Sequence, residues 1–314
     1  MSVNLGELAA TTLKMYEGSL ADNIFKKAVV FNHLKENGGM KKVSGGRNMV
    51  IPLMYSANST VKAFTGLDTL DNTYQETVDA AEVSWKNYDV SVVFTFTDEL
   101  QNSGESQVID LLEAKITQAE NSLRERMNDD LFNGAASDSK EITGLDTVVA
   151  QATYAGIAGG TYSWWQSDVD ATAATLTVAY MRNAKNTANL GNGGSNVSLI
   201  VTDQTLYEKY ASLLTSTLSM SPSSSESKRL GDAGFTNLEF EGVPVSFDES
   251  CTAAVMFFLN KDNFKLAYHP KANFKVMKKA EPTDQHVSIS HIVWSGNTWC
   301  NRRASLSKLT AKTA

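Results

Sequence analysis

Residues 105–133, ESQVIDLLEAKITQAENSLRERMNDDLFN, carry Val108, Leu112, Ile116, Ala119, Leu123, Met127 and Leu131 at spacings of three or four. That spacing draws one apolar stripe along a helix and leaves the other side polar. Ser103 stands where a cap is needed, Glu105 suits the first turn, and Gly134 stops the helix. At 1.5 Å per residue it would run about 43 Å, well beyond the average helix of a globular protein. Arg124, Glu125 and Arg126 fall off the stripe and read as a solvated or an intersubunit face.

Just upstream, Tyr88–Phe96 alternates, with apolar residues at the even positions and mostly polar ones at the odd. This predicts a half-buried strand that stops at Thr97-Asp98-Glu99. Before it, Val50–Met54 reads as a short strand, followed by SANSTVKAFTGLDTLDNTYQETVDAAE, polar and poor in core residues. So long a weakly apolar stretch is unusual inside a compact domain, and it suits a two-stranded loop that finds its partners on another molecule. Residues 5–37 look helical but interrupted, ending at Glu36-Asn37-Gly38-Gly39.

Downstream lies GIAGGTYSWW, residues 156–165. Its glycines fit neither the dinucleotide fingerprint nor a phosphate loop. A hinge is the reading that remains, with Tyr162, Trp164 and Trp165 fixing a domain junction or a subunit contact. If the chain is extended there, the two tryptophans point to opposite sides, one for each role. Ala171–Asn189 is then expected to be a helix stopped by Gly191-Asn192-Gly193-Gly194, Val197–Val201 a strand, and Thr202-Asp203 the cap of a helix to about Leu214. Ser216–Lys228 is serine-dense and reads as a surface loop. Asn237–Phe240 and Val243–Phe247, joined by Glu241-Gly242, form a hairpin with a two-residue turn. Strands follow at Ala254–Leu259, Phe264–Tyr268, Phe274–Met277 and Val287–Trp294.

The 314 residues, 42% hydrophobic and 20% charged, allow one elaborated domain or a few smaller ones. The first residues have neither the apolar centre nor the cleavage site of a signal peptide, and the longest apolar run, Ala253–Leu259, is too short to span a bilayer. A protein made in a cytoplasm and not bound to a membrane is expected, with Cys251 and Cys300 as buried free thiols. Of 28 Lys/Arg and 35 Asp/Glu, residues 1–50 hold seven and four and residues 300–314 hold four and none, leaving 17 and 31 between. An acidic body with basic ends argues against a broad DNA-gripping face. The basic ends are either solvated or lie on acidic surfaces of neighbouring copies.

No catalytic constellation emerges. The four histidines are scattered, no metal-ligand spacing occurs, and Ser-x-x-Lys at Ser59/Lys62, Ser137/Lys140, Ser225/Lys228 and Ser305/Lys308 lacks the companion motifs of serine–lysine acylases. No enzyme activity, metal or cofactor is expected.

The order of parts, taken with several short stretches, resembles the major capsid proteins of tailed bacteriophages, the Hong Kong 97-like capsid fold. The stretches are KVSGGR (42–47), AAEVSWK (80–86), Ser163-Trp164-Trp165, FEGVPVSFDES (240–250), Phe258-Leu259-Asn260 and HIVWSGN (291–297). The resemblance implies an α+β chain with an N-terminal arm at 1–40 and an extended loop at 41–86. It implies a peripheral domain at 87–148 and 270–314 with a spine helix at 105–133, and an axial domain at 149–269. It implies assembly as hexamers and pentamers into an icosahedral head, made in the host cytoplasm, with a separate scaffolding protein, a portal and a decoration protein as further partners. DNA would be packaged on the inner face without sequence-specific binding. The candidate interface or junction residues are Arg47, Lys62, Trp85, Lys86, Arg124, Arg126, Tyr162, Trp164, Trp165, Arg302 and Arg303. A tail-tube or decoration protein is the alternative, and a helix as long as 105–133 argues against it.

Overall fold

In a computed structural model the described residues are 28–95, 111–134, 140–190, 196–218, 238–277 and 286–314. Five helices lie among them: α1 (Val29–Glu36), α2 (Leu111–Asn133), α3 (Leu145–Val148), α4 (Val178–Asn189) and α5 (Gln204–Leu218). The expected cap at Ser103, the first turn at Glu105 and the glycine stop at 191–194 lie outside the described residues, as does most of the serine-dense stretch.

A five-stranded sheet carries the long helix. Its path is β1 (Met40–Lys42), β11 (Phe264–Tyr268), β13 (Val287–Cys300) and β12 (Lys275–Val276), and β4 (Lys86–Thr95) also pairs with β13. The alternation seen in the sequence is realised: Val90 pairs with Ile292 and Tyr88 with Trp294 on the face turned to the core, while Asp89 and Ser91 face out. The stripe of α2 packs there through Ala119, Leu123, Met127 and Leu131, all buried. Each large side chain so buried stabilises the fold by roughly 1.5–3 kcal/mol. Gly134 ends α2 because its place has no room: a Cβ would stand 2.2 Å from the Asp130 carbonyl oxygen.

A mixed six-stranded sheet runs β5 (Asp168–Asp170), β14 (Ser307–Leu309), β10 (Met256–Leu259), β7 (Leu199–Thr202), β9 (Val243–Phe247) and β8 (Leu238–Phe240). Every residue of β7 and β10 is buried, because the sheet is covered on both faces. Leu199, Val201, Phe257 and Leu259 face the core shared with α2, while Ile200, Met256 and Phe258 face a second core with α4 and α5. The β8–β9 hairpin turns through Glu241 (φ 47°) and Gly242 (φ 79°), the pair of left-handed residues that a two-residue turn requires.

The helix expected from Ala171 begins only at Val178, capped by the Thr177 side chain. The residues before it are drawn into sheets. Asp168–Asp170 pairs in parallel with β14, and β6 (Ala174–Thr175) pairs with β15 (Lys312–Thr313). These partners lie more than a hundred residues away in sequence, and the pairing overrides the helical preference of an alanine-rich segment.

Candidate functional site

Two strands leave the body together. β2 (Asn48–Met54) and β3 (Val78–Ser84) pair antiparallel over their full length. Met49, Ile51, Leu53, Ala81 and Val83 are buried on one face, while Val50, Met54 and Val78 stand exposed on the other. The root is closed by Trp85, whose indole N–H donates to the Gly46 carbonyl at 3.0 Å. Beyond Met54 the chain forms no regular element until Val78 and shapes itself by local bonds. The Asp68 carboxylate accepts from the Thr65 amide, Asp71 accepts from the amide and hydroxyl of Thr73, and the Lys62 ammonium donates to the Thr69 carbonyl. The Thr73 bonds hold the Asp71 carboxyl below its usual range.

This loop is less polar in effect than its composition suggests. Val61, Phe64, Leu67, Leu70 and Tyr74 are all exposed, Leu67 completely. The sequence signal was available: large apolar residues three or four apart in a segment with no strand or helix to bury them. Apolar exposure so concentrated marks a surface that another molecule covers.

Behind the loop lies the aromatic junction. Tyr154 and Ile157 form an isolated bridge around Ala155 and Gly156, both left-handed, and Gly159 lies against the chain so closely that a Cβ would meet the Gln151 carbonyl oxygen at 2.4 Å. Ser163–Trp165 is a single 3-10 turn, not extended chain, so the two tryptophans are not on opposite sides of a strand. Trp165 is buried, stacks on Tyr154 and donates its indole N–H to the Tyr154 carbonyl at 3.1 Å. Trp164 lies half-buried between Tyr162 and the loop's Tyr55, stacked on the latter with ring centroids 5.3 Å apart.

Beneath Trp165 sits Arg303, with no exposed surface. Its five N–H groups meet five backbone carbonyls: Nε reaches Val148 at 2.8 Å, Nη1 reaches Ala152 and Trp165 at 2.8 Å each, and Nη2 reaches Thr147 at 3.1 Å and Ala150 at 2.5 Å. Burial pulls the guanidinium pKa down from its usual value, yet an arginine stays charged in a protein. All the partners described for Arg303 lie within its own chain. Its basic neighbours also point inward: Lys308 pairs with Asp146 at 3.1 Å and the buried Lys312 with Asp170 at 3.0 Å. Arg303, Lys308 and Lys312 are thus engaged within the chain, while Arg302 stays exposed.

The remaining candidates separate. Lys86 is buried, whereas Arg47, Lys62 and Arg302 are exposed. Arg126 joins Asp130 at 3.1 Å and Glu141 at 2.6 Å, and Asp130 accepts from the Tyr88 hydroxyl at 2.6 Å. Arg124 pairs with Glu120 and lies over the Phe274 ring at 5.5 Å. Residues with no signal in the sequence complete the frame. The buried Asp248 carboxylate accepts from the Val29 and Ser250 amides and from the Asn128 side chain, tying α1 to α2. Cys251 and Cys300 are free and buried, and burial pushes the Cys300 thiol up to about 12.

The Ser-x-x-Lys pairs that can be followed do not meet. Ser59 donates to Gln75, while Ser305 donates to the Arg302 carbonyl and Lys308 faces Asp146. The pairs at Ser137 and Ser225 lie outside the described residues. Among the described residues no group of three or more His, Cys, Asp or Glu side chains could hold a metal, and no helix is long and apolar enough to cross a membrane.

A long helix on a five-stranded sheet, a second doubly covered sheet and a projecting hairpin together make the fold of bacteriophage capsid proteins. A chain of the cyanophage A-1(L) capsid asymmetric unit matches 95% of this chain and 96% of its own at a TM-score of 0.71 and 19% identity. The capsid of an empty GTA particle matches 97% and 98% at 0.62 and 12% identity, and the capsid of cyanophage P-SCSP1u matches 95% and 92% at 0.59 and 11%. No family model and no curated protein matches the sequence.

Proposed function

We propose that this chain is a major capsid protein that assembles as hexamers and pentamers into the icosahedral head enclosing a phage genome. The observation that carries the reading is the β2–β3 loop, whose Val61, Phe64, Leu67, Leu70 and Tyr74 stand exposed with nothing among the described residues to cover them. Burying five such side chains against a neighbour would contribute on the order of 10 kcal/mol, enough to matter against the roughly 4–15 kcal/mol that association costs. The likeness to capsid chains over 95% of the chain supports it.

On this reading residues 1–40 are the arm, 41–86 the extended loop that overlaps a neighbour, and 105–133 the spine of a peripheral domain made of 87–148 and 270–314. Residues 149–269 are the axial domain around the five- and six-fold axes. The chain acts by assembly and not by catalysis. Scaffolding protein, portal and a decoration protein are its further partners, and the acidic body lets packaged DNA lie on the inner face without a tight grip. No observation favours a tail-tube or decoration role.

The test is to express the chain alone and with its scaffolding partner and to examine the products by negative-stain electron microscopy. Closed shells are the expected result. Small monodisperse particles under both conditions would overturn the reading.

A further inference from the structure

Three Asn-Gly pairs occur in the sequence, Asn37-Gly38, Asn133-Gly134 and Asn192-Gly193, and the third lies outside the described residues. An asparagine before glycine is open to one spontaneous reaction, because no side chain on the glycine hinders the approach of its backbone nitrogen to the asparagine Cγ. The two described pairs stand in opposite surroundings. Asn133 ends α2 with its side chain held at both atoms: Nδ2 donates to the Ser250 carbonyl at 3.3 Å, and Oδ1 accepts from the Thr252 hydroxyl at 3.2 Å. Gly134 is buried, its N–H donates to the Asp130 carbonyl at 2.6 Å, and a Cβ would stand 2.3 Å from the Ile142 carbonyl oxygen. That peptide cannot turn without opening the core.

Asn37-Gly38 follows α1 in the open. Both residues are exposed, and Gly38 is left-handed at φ 73° with nothing within 4 Å of the place a Cβ would take. Its N–H donates to no group among the described residues. Two backbone bonds hold the pair, from the Asn37 N–H to the His33 carbonyl at 3.0 Å and from the Gly39 N–H to the Leu34 carbonyl at 2.7 Å. Helix ends open locally at little cost. The Asn37 side chain is itself part of the cap: Nδ2 donates to the His33 carbonyl at 3.0 Å and lies 3.2 Å from His33 Nδ1. The other ring nitrogen, Nε2, lies 3.3 Å from the hydroxyl of Ser198, just before β7. Burial and then the Lys261 charge lower the His33 pKa against the opposite pull of Glu36. At neutral pH the ring is therefore mostly uncharged and accepts from the amide.

We propose that Asn37 is a site of spontaneous deamidation that unfastens the end of α1 as the protein ages. The Gly38 nitrogen attacks the Asn37 Cγ, the Cγ–Nδ2 bond breaks, and the proton of the Gly38 N–H leaves with the amide nitrogen as ammonia. Water then opens the five-membered imide at Cγ to give aspartate, or at the backbone carbonyl to give isoaspartate, whose main chain runs through Cγ. The product has lost its donor. Its carboxylate faces two acceptors, the His33 carbonyl oxygen and ring nitrogen, at the negative end of the α1 dipole. The new charge also raises the His33 pKa, and a charged ring then sits beside Lys261. None of this depends on the shell reading.

The test incubates the full chain for weeks at physiological temperature and neutral pH. Peptide mapping by mass spectrometry follows each site, and enzymatic methylation counts isoaspartate. Conversion at position 37 is expected to exceed that at position 133 by about tenfold or more, because fraying of a helix end is far commoner than opening of the core. Asn37→Gln should remove the signal from its peptide, since the longer side chain closes a ring only slowly. Asn37→Asp stands in for the aged protein: it should quicken hydrogen exchange at Gly39 by about twofold or more and move the titration of the His33 ring, followed by nuclear magnetic resonance, to higher pH. Conversion at position 37 no greater than at 133 overturns the proposal. So does an Asn37→Asp variant with unchanged exchange at Gly39 and an unchanged His33 titration.

Discussion

Arg303 offers the sharpest test of how the junction is held. Replacing it with methionine keeps much of the volume and removes all five donors; the carbonyls of Val148 and Ala150 keep the Ser167 hydroxyl and amide, while those of Thr147, Ala152 and Trp165 lose the donors described for them. Each buried acceptor left unpaired costs about 1–3 kcal/mol. The sum of roughly 3–9 kcal/mol for three acceptors is opposed by several kcal/mol regained because a guanidinium no longer has to be dehydrated. The carbonyls should win, since the residue that meets them has no exposed surface through which water could replace it. A net loss of roughly 3 kcal/mol is a large fraction of the stability of a domain, so the Met variant should melt well below the unmodified chain. Arg303→Lys keeps the charge but brings three donors in place of five. Donating from a single atom, it cannot reach all the carbonyls that the planar guanidinium spans; one left unmet should cost about 1–3 kcal/mol, which lowers the melting temperature by about 2–6 °C. The assay is thermal unfolding of unassembled subunits followed by tryptophan emission, well suited because the guanidinium lies 6.0 Å from the Trp165 ring. A Met variant that melts within about 2 °C of the unmodified chain would refute the reasoning, because the relief of desolvation would then offset the three orphaned acceptors.

Deleting residues 55–78 should abolish shell formation and leave a folded subunit, and global unfolding of the deletion by circular dichroism would show that the loop belongs to the core. Trp165→Ala should destabilise the subunit by about 3–5 kcal/mol, whereas Trp164→Ala, at a half-buried position, should leave the melting point almost unchanged and reduce shell yield; equal melting points for the two would contradict the packing described. Arg182 and Lys185 hold the Glu241 carboxyl below its usual range. The stability this gives the β8–β9 hairpin is fully present above the unfolded carboxyl value of about 4.3 and is lost as pH falls through the depressed folded value. Hydrogen exchange at 238–247 should therefore quicken on acidification in the unmodified chain and respond less in Glu241→Gln. Neither cysteine should react with an aromatic disulfide reagent before unfolding, since both are buried and burial raises both thiol pKa values.

What could be read in the sequence was whatever local periodicity or turn chemistry determines. The even–odd alternation of Tyr88–Phe96, the stripe from Ile116 to Leu131 and the Glu241-Gly242 turn each follow from the geometry of a few neighbouring residues. Reading failed where distant pairing decides. Ala171–Thr175 reads as the start of a helix, but Ala174-Thr175 pairs with the strand at 312–313, beside Asp168–Asp170 on the strand at 307–309. Arg303 carries no local sign that five carbonyls from residues 147–165 will converge on it. The two tryptophans pointed to a junction, but their placement depends on a 3-10 turn that adjacent bulky residues do not announce. In the candidate site, the polar composition of 55–77 hid its exposed leucines, and Tyr55 gained meaning only once the fold brought it beside Trp164.

The pairing of 307–313 with 168–175 also bears on how the protein is made. Synthesis is vectorial, and a ribosome adds roughly 5–20 residues per second. The edge of the six-stranded sheet at β5 and the carbonyl cage at 147–165 must wait for Arg303 and β14, so that region stays unfinished for on the order of 10 s after its own residues have emerged. Until residues 301–304 have emerged, the cleft between Trp164 and Arg302 cannot exist. On the shell reading, nascent chains crowded on one messenger would thereby be kept from joining a lattice before that point.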